Sequence, residues 1–217
     1  MLLRSASLCL LFCVAAGAAH ADVVELLPIQ DATLYESGPA NQLASGSGPS
    51  LFAGRTNSQG GAALRRTLIG FDVSSAIPAG STVTGVELRM FVSNAPNDLP
   101  VPNTLHRALA PWGEGASDAG VTGGPGVPAL AGDATWVSRF FPGQPWSTPG
   151  GDFVASPSAS QAVPPDGPFA FGSTPQMVGE VQAWLDGALP NRGWLILGVE
   201  KVQNQARRFA SRESSQA

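Results

Sequence analysis

Apolar and polar residues alternate along this chain in short runs that glycine and proline interrupt. The clearest run is Val83–Val92, where Val86, Leu88 and Met90 fall on one face and Glu87 on the other. This period of two is typical of a half-buried β-strand. Further strands are predicted at Val23–Ile29, Ala32–Tyr35, Leu51–Gly54, Arg66–Val73, Asn103–Leu109, Trp194–Val199 and Arg207–Ser211.

One segment has helical spacing instead. The apolar residues that recur there at i, i+4, i+7 and i+8 are Met177, Val181, Trp184 and Leu185. Thr174 is a suitable N-cap, Pro175 fits the first helical position, and Gly187 can end the helix. Two Gly/Pro-rich stretches without periodicity, 113–133 and 155–168, are predicted to be either functional loops or locally disordered. Many short strands with one short helix predict an all-β fold, a β-sandwich of the jelly-roll type.

The N-terminus has the pattern of a secretory signal peptide over residues 1–21. Arg4 supplies the positive charge, Leu8 to Ala18 forms an apolar core, and Ala19-His20-Ala21 fits a cleavage site. The apolar run is shorter than the roughly 20 residues that span a bilayer. We therefore expect a protein that is secreted, periplasmic or attached to the cell surface, with residues 22–217 as one domain.

Composition narrows the choice of partners and of chemistry. The net charge is −4, with 12 basic and 16 acidic residues, which argues against nucleic acid as a partner. No second apolar run reaches spanning length, so membrane insertion is not expected. The two cysteines, Cys9 and Cys13, both fall in the predicted signal. The rest of the chain must therefore be held by its core, without disulfides.

Several motifs occur in an order that resembles the DNRLRE-domain proteins, relatives of the disaggregatase-type repeat and of family 96 carbohydrate-binding modules. The matching segments are Asp31–Tyr35, Gly48–Arg55, Arg65–Val73, Ile77–Val83, Trp112–Gly115, Thr135-Trp136, Trp146–Phe153, Asn191–Trp194 and Arg208–Glu213. The resemblance implies a secreted jelly-roll module. Members of such families often bind polysaccharide or decorate surface and extracellular proteins.

The chain departs from the family pattern near its end. Members of the family continue beyond the Ser-Arg-Glu motif, here Ser211–Glu213, with an Arg-Pro-x-Leu strand, whereas this sequence stops at Ala217. The resemblance therefore implies a sandwich that lacks its last strand. We expect an open sheet edge at Arg207–Ser211, through which the chain can self-associate.

The residues that commonly carry catalysis are sparse. His106 is the only histidine beyond the predicted signal, it falls in a predicted strand, and no Gly-x-Ser-x-Gly motif accompanies it. The acidic residues in Gly-rich loops are Glu114, Asp118, Asp133 and Asp152. Such carboxylates usually satisfy turns, so no catalytic residue is assigned. The less favoured alternative is a polysaccharide-degrading enzyme that uses a carboxylate pair.

A metal site receives only weak support from the sequence. One histidine without cysteine does not make a zinc site. A structural calcium ion stays possible because Asp31, Asp72 and Glu213 flank predicted strand ends, but no Asp-x-Asp-x-Asp loop is present. We assign no cofactor and no metal ligands.

The aromatic segment Thr135–Phe153 carries the candidate ligand site. Trp136 and Trp146 are predicted as platforms for sugar rings, with Arg139 and Asp152 as polar anchors. The alternative is that both tryptophans pin a long loop onto the sandwich, since large aromatic side chains are mostly buried. Trp184 and Trp194, by contrast, lie on regular elements and are expected in the core.

These observations favour a secreted, non-catalytic module that binds carbohydrate or takes part in cell-surface or matrix interactions. The alternative is a structural extracellular protein without a small ligand. The two hypotheses differ in the exposure of the aromatic side chains. Sugar binding needs exposed aromatic faces beside polar side chains, whereas the structural role needs the aromatic side chains buried.

Overall fold

The computed structural model describes residues 21–58 and 62–215. The predicted signal peptide, apart from Ala21, lies outside these residues. The first strands and helix are β1 (Gln30–Tyr35), β2 (Leu43–Ala44), β3 (Ser50–Arg55), β4 (Leu64–Gly70), α1 (Val73–Ala76), β5 (Leu88–Asn94) and β6 (Val101–Arg107). They are followed by β7 (Val127–Pro128), β8 (Ser138–Phe140), β9 (Gln144–Pro145), β10 (Ala159–Val163), β11 (Gly167–Phe171), α2 (Pro175–Leu185), β12 (Trp194–Leu197) and β13 (Arg207–Ala210).

The long strands form two antiparallel layers. Sheet I has the order β10-β6-β12-β4-β1, and sheet II has the order β3-β13-β5-β11. The two layers join where β3 pairs with the start of β4, at Gly54 opposite Arg65 and Arg55 opposite Leu64. The result is a jelly-roll-like β-sandwich that closes almost into a barrel, which confirms the predicted fold class.

The main core fills the space between the sheets. Its buried side chains include Leu51, Leu88, Leu105, Phe171, Ile196 and Phe209. The face predicted for Val83–Val92 is the one that meets this core. Leu88 and Val92 are buried, and Val86 and Met90 are half-buried against them, although the regular strand begins only at Leu88.

The predicted helix is confirmed as α2. The Thr174 hydroxyl accepts the N–H of Met177 at 3.0 Å, and Pro175 occupies the first turn. The helix places Met177, Val181 and Trp184 against the core. The rings of Trp184 and Trp194 lie 4.7 Å apart, so both belong to the core as expected.

Two assignments of secondary structure were wrong. Val23–Ile29 forms no strand: Ile29 donates its N–H to Gly70, but the ladder with β4 begins at Gln30 and includes Asp31. The predicted loop 155–168 contains β10 and the start of β11. The β10 sequence Ala-Ser-Gln-Ala-Val buries only Ala159 and Val163. Small residues at the inward positions give too weak a hydrophobic contrast to predict a strand.

The C-terminal strand is not an open edge, contrary to the expectation. β13 lies inside sheet II, paired with β3 on one side and β5 on the other. The other side of β3 is also covered, because Thr33 accepts the N–H of Phe52 and Thr67 donates to its carbonyl, both at 3.0 Å. In a jelly-roll the chain crosses repeatedly between sheets, so the position of a strand along the sequence does not fix its position in a sheet.

Among the described residues, no helix has the length and apolar character that crossing a membrane requires.

Candidate functional site

The aromatic segment folds over the outer face of sheet I and creates a second core. The strands contribute Ala32, Leu34, Leu68 and Leu195, while the covering segments contribute Trp112, Ala134, Trp136 and Trp146. Strands β1, β4 and β12 therefore carry apolar side chains on their outward face, and β12 is apolar on its inward face as well. Because both faces are covered, sheet I lacks the simple apolar–polar alternation of a solvated sheet.

Both predicted platform tryptophans belong to this second core. Trp146 is 5% exposed and donates its indole N–H to the Thr135 carbonyl at 2.8 Å. Trp136 is 9% exposed, and its carbonyl accepts the N–H of Gly150 at 2.6 Å. The expectation that the two residues expose open aromatic faces is therefore wrong. Both rings hold the aromatic segment against sheet I, because burial of their apolar surface is favourable.

The two predicted polar anchors are engaged in the turns of their own segment. Arg139 is partly exposed and donates to the Pro145 carbonyl at 3.2 Å. Asp152 accepts the backbone N–H groups of Ser147 and Thr148 at 3.0 and 3.1 Å, as carboxylates in tight turns commonly do. The four predicted residues thus share a segment but do not form one open binding surface.

Arg66, which was not assigned to the predicted site, joins this cover to the sheet. Its guanidinium carbon lies 4.7 Å from the centre of the Trp136 ring and 5.4 Å from that of Phe153. Arg66 also forms a bidentate pair with Glu200, at 2.7 and 3.0 Å, and donates to the Gly150 carbonyl at 2.7 Å. Arg66 lies on the same outward face of β4 as Leu68, and this alternation is the sequence pattern that could have indicated its position. Its aromatic partners are too distant in sequence to be inferred.

Gly150 allows this close packing. A Cβ at this position would lie 2.5 Å from Arg66 Nη1 and 2.8 Å from the Trp136 ring, and the backbone φ is +93°. Glycine alone combines this conformation with such a short approach. The Pro-Gly-Gly turn of the aromatic motif is thus explained by contact with Arg66.

A depression of about 420 Å³ opens beside Trp136. Its lining residues are Glu36, Ser37, Gly38, Pro39, Ala62, Trp136, Val137 and Pro149. Glu36 Oε2 accepts the N–H groups of Ala63 and Leu64, at 2.8 and 2.9 Å, which fixes its carboxylate at one wall. The volume is within the usual range for small-molecule sites. The lining offers a carboxylate, a hydroxyl and apolar ring surfaces.

His106 packs edge-on against Phe153, with the two ring centres 5.2 Å apart. Its two ring nitrogens lie 2.8 Å from the Val154 carbonyl and 2.8 Å from the Thr104 hydroxyl. Burial lowers the pKa of His106, which favours the uncharged ring. A histidine bonded in this way packs in the sheet and is not aligned with a serine nucleophile.

The loop carboxylates considered for hydrolysis each hold part of the structure. Glu114 accepts both guanidinium donors of Arg212, at 2.8 and 2.7 Å. Asp118 accepts the N–H of Gly120 at 2.7 Å. The fully buried Asp133 accepts N–H groups from the loop 113–133 at 3.3 and 2.6 Å. Together with Asp152, these side chains organise turns, the role that acidic residues in Gly-rich loops usually have.

The residues considered for calcium do not form one site. Asp72 caps α1 through Ser75, whereas Asp31 and Glu213 both lie beside Arg212. In the part of the chain that the structure describes, no group of three or more His, Cys, Asp or Glu side chains is arranged to hold a metal ion. Asp31 itself is buried, and its Oδ1 has no hydrogen-bond partner there.

Burial raises the pKa of Asp31 to about 7. The Glu213 and Glu114 carboxylates act in the same direction, while the N–H of Arg212, which donates to Asp31 Oδ2 at 2.8 Å, opposes the rise. Asp31 thus links β1 to the turn at Arg212 through a carboxyl group whose burial favours the protonated form.

No protein-family model matches the chain, and no curated protein matches its sequence significantly. The DNRLRE-domain resemblance therefore stays a prediction from the motifs.

Proposed function

We propose that this protein is an extracellular, non-catalytic module that binds polysaccharide in the depression beside Trp136. The shape and lining of this depression are the observation that carries the proposal. A sugar ring presents C–H faces and hydroxyl groups together. The Trp136 edge and the flanking prolines Pro39 and Pro149 suit the C–H groups, whereas Glu36 and Ser37 suit the hydroxyls.

This location modifies the site predicted from the sequence. Trp136 keeps a role at the wall of the depression, and the buried Trp146 supports it from within the second core. Arg139 and Asp152 serve the neighbouring turns. A shallow site of this kind suits one face of a polymer chain held by several weak contacts.

A glycan-array measurement on residues 22–217 tests the proposal, run both with calcium and with a chelator. Gly38 lines the depression, a Cβ added to it would meet no atom within 4 Å, and its φ is not positive. Gly38→Leu should therefore fill the depression without disturbing the fold. Gly172→Leu is a matched control, because Gly172 is equally unobstructed and does not line the depression.

The expected result is binding to at least one polysaccharide that Gly38→Leu weakens and Gly172→Leu leaves intact. Binding that Gly38→Leu does not change would assign the sugar to another surface. An array without any binding would reject the carbohydrate hypothesis.

A second candidate is a structural extracellular protein that packs against other chains. The observation that favours it is the extended segment before β1, where Val23 and Leu27 are 88% and 84% exposed. Exposed aliphatic side chains mark a contact surface where they form a contiguous patch. Sedimentation velocity over a concentration series tests this alternative. Concentration-dependent assembly that Leu27→Ser abolishes would support it, and a monomer at all concentrations would oppose it.

A further inference from the structure

Arg207 is a buried cation for which the described residues supply no anionic partner. Its side chain is 0% exposed, although it forms no ion pair with any of them. Nη2 donates to Asn97 Oδ1 at 3.2 Å and to the Leu99 carbonyl. Nε and Nη1 have no hydrogen-bond partner in the described part of the chain.

The other buried arginine of the sandwich also forms no ion pair with the described residues, and the two differ in how their donors are satisfied. Arg65 is also buried, but its donors reach the carbonyls of Ala62, Leu64 and Gly124, and its guanidinium lies 4.8 Å from the Tyr35 ring centre. Burial lowers the pKa of Arg207, yet a guanidinium stays charged in proteins. A buried guanidinium that leaves two of its nitrogens without acceptors and has no anionic partner is destabilising. A counter-charge at Arg207 would remove that cost.

A second unsatisfied polar side chain lies at the same end of the space between the sheets. Asn103 is 1% exposed, and neither its amide nitrogen nor its oxygen has a partner among the described residues. It precedes Thr104, which pairs with Leu197, so the strand register brings Asn103 beside Gly198.

Gly198 in turn lies directly on sheet II. A Cβ at Gly198 would lie 2.7 Å from the Ala53 carbonyl oxygen, and Ala53 is the register partner of Arg207. Asn103 and Arg207 are both buried and both lie at this end, one on each sheet. Their free donors are a guanidinium Nε and Nη1 and an amide Nδ2.

We infer that Arg207 and Asn103 bind a small inorganic anion of chloride size between the two sheets, beneath the loop that joins β5 to β6. The donors and the positive charge select an anion, and the complete enclosure of Arg207 restricts its size. The covering loop reaches the surface at Leu99, whose carbonyl accepts from Arg207 and which is itself 72% exposed. Opening of this loop provides the route for exchange. The inference is independent of the carbohydrate proposal.

Crystals grown with bromide in place of chloride test the inference on the unmodified protein. The expected result is an anomalous bromide peak within hydrogen-bonding reach of Arg207 Nε or Nη1 and of Asn103 Nδ2. Density at this position without an anomalous signal would identify water and overturn the inference, and so would the absence of any density.

Thermal unfolding supplies a second readout. The melting temperature is measured in sodium chloride and in sodium gluconate at equal ionic strength. An anion that binds only the folded state raises the melting temperature as its concentration increases. We expect Arg207→Met and Asn103→Leu each to abolish the chloride-specific increase.

The control is Arg208→Met, because Arg208 is the neighbouring arginine and its Nε donates to the Ser93 hydroxyl at 3.0 Å. This variant should retain the increase. If Arg207→Met does not fold, Asn103→Leu and the bromide peak still decide the matter. An increase that is equal in the unmodified protein and in Asn103→Leu, with no bromide peak, would contradict the inference.

Discussion

The guanidinium of Arg66 lies over the Trp136 ring, 4.7 Å from its centre, and at the same time pairs with Glu200 through two hydrogen bonds. This arrangement ties three distant parts of the chain together: strand β4, the aromatic segment and the segment after β12. The side chain of Arg66 is only 14% exposed and that of Glu200 only 24%. The Arg66–Glu200 ion pair is therefore less screened by solvent than a pair on the surface.

Replacement of Arg66 should loosen the cover over sheet I. We expect Arg66→Met to lower the free energy of unfolding by about 1–3 kcal/mol, because a partly buried pair loses one member and Glu200 is left unpaired. Chemical denaturation gives the value. Arg66→Lys is the matched control for charge, and it should recover only part of the loss, since lysine lacks the planar bidentate fork. Equal stability of all three proteins would contradict the role assigned to Arg66.

Trp146 distinguishes packing from ligand binding. Its ring is 5% exposed, and its N–H is bonded to the Thr135 carbonyl, so Trp146→Ala should cost about 3–5 kcal/mol of folding stability. Trp146→Phe should cost less, because it retains most of the apolar volume. Melting temperature and polysaccharide retention are measured on the same preparations. A specific loss of binding at unchanged stability would restore Trp146 as a sugar platform.

The face of β5 gives a graded test of the core. Leu88 is buried and Met90 half-buried on the same face of the strand. We expect Leu88→Ala to destabilise by about 2–5 kcal/mol and Met90→Ala by clearly less, since the cost follows the apolar contact that is lost. Urea unfolding of both variants checks the order. The reverse order would contradict the described burial of Leu88 and Met90.

The sequence pattern predicted those helices and strands whose determinants lie within one short segment. The cap at Thr174, the proline after it and the apolar stripe of α2 are all contained in one short segment, and the helix forms as expected. The face of Leu88 followed from simple alternation. In β10 the inward residues Ala159 and Val163 are small or separated by polar residues, so the same reasoning failed.

Features that depend on distant contacts were beyond such reasoning. The burial of Trp136 and Trp146 depends on an apolar outer face of sheet I, built from strands far away in the chain. The interior position of β13 depends on the crossing of the chain between the sheets. That Arg207 has no anionic partner among the described residues could not be inferred from its sequence neighbours, because Arg208, the next residue, makes ordinary contacts with Ser93.

Asp31 should make stability depend on pH in an uncommon direction. Burial raises its pKa from 3.8 to about 7, so between these values the folded chain binds a proton that the unfolded chain has released. The contribution of Asp31 to stability is therefore greatest below about pH 4, falls as pH rises, and is lowest above pH 7. A shift of this size corresponds to at most about 4 kcal/mol.

The variant Asp31→Asn removes this titration while keeping an oxygen that can accept the Arg212 N–H. Its free energy of unfolding, relative to the unmodified protein, should rise steadily from pH 4 to pH 7.5 and then level off. Asp72→Asn is the control, because hydrogen bonds from Ser75 lower the pKa of Asp72. Asp72 stabilises the fold above its ordinary pKa and loses that effect only in more acidic solution. The difference in the free energy of unfolding between Asp72→Asn and the unmodified protein should therefore stay constant over the same range. A flat difference for Asp31→Asn between pH 4 and pH 7.5 would show that Asp31 is ionised in the folded protein, with Arg212 outweighing the effect of burial.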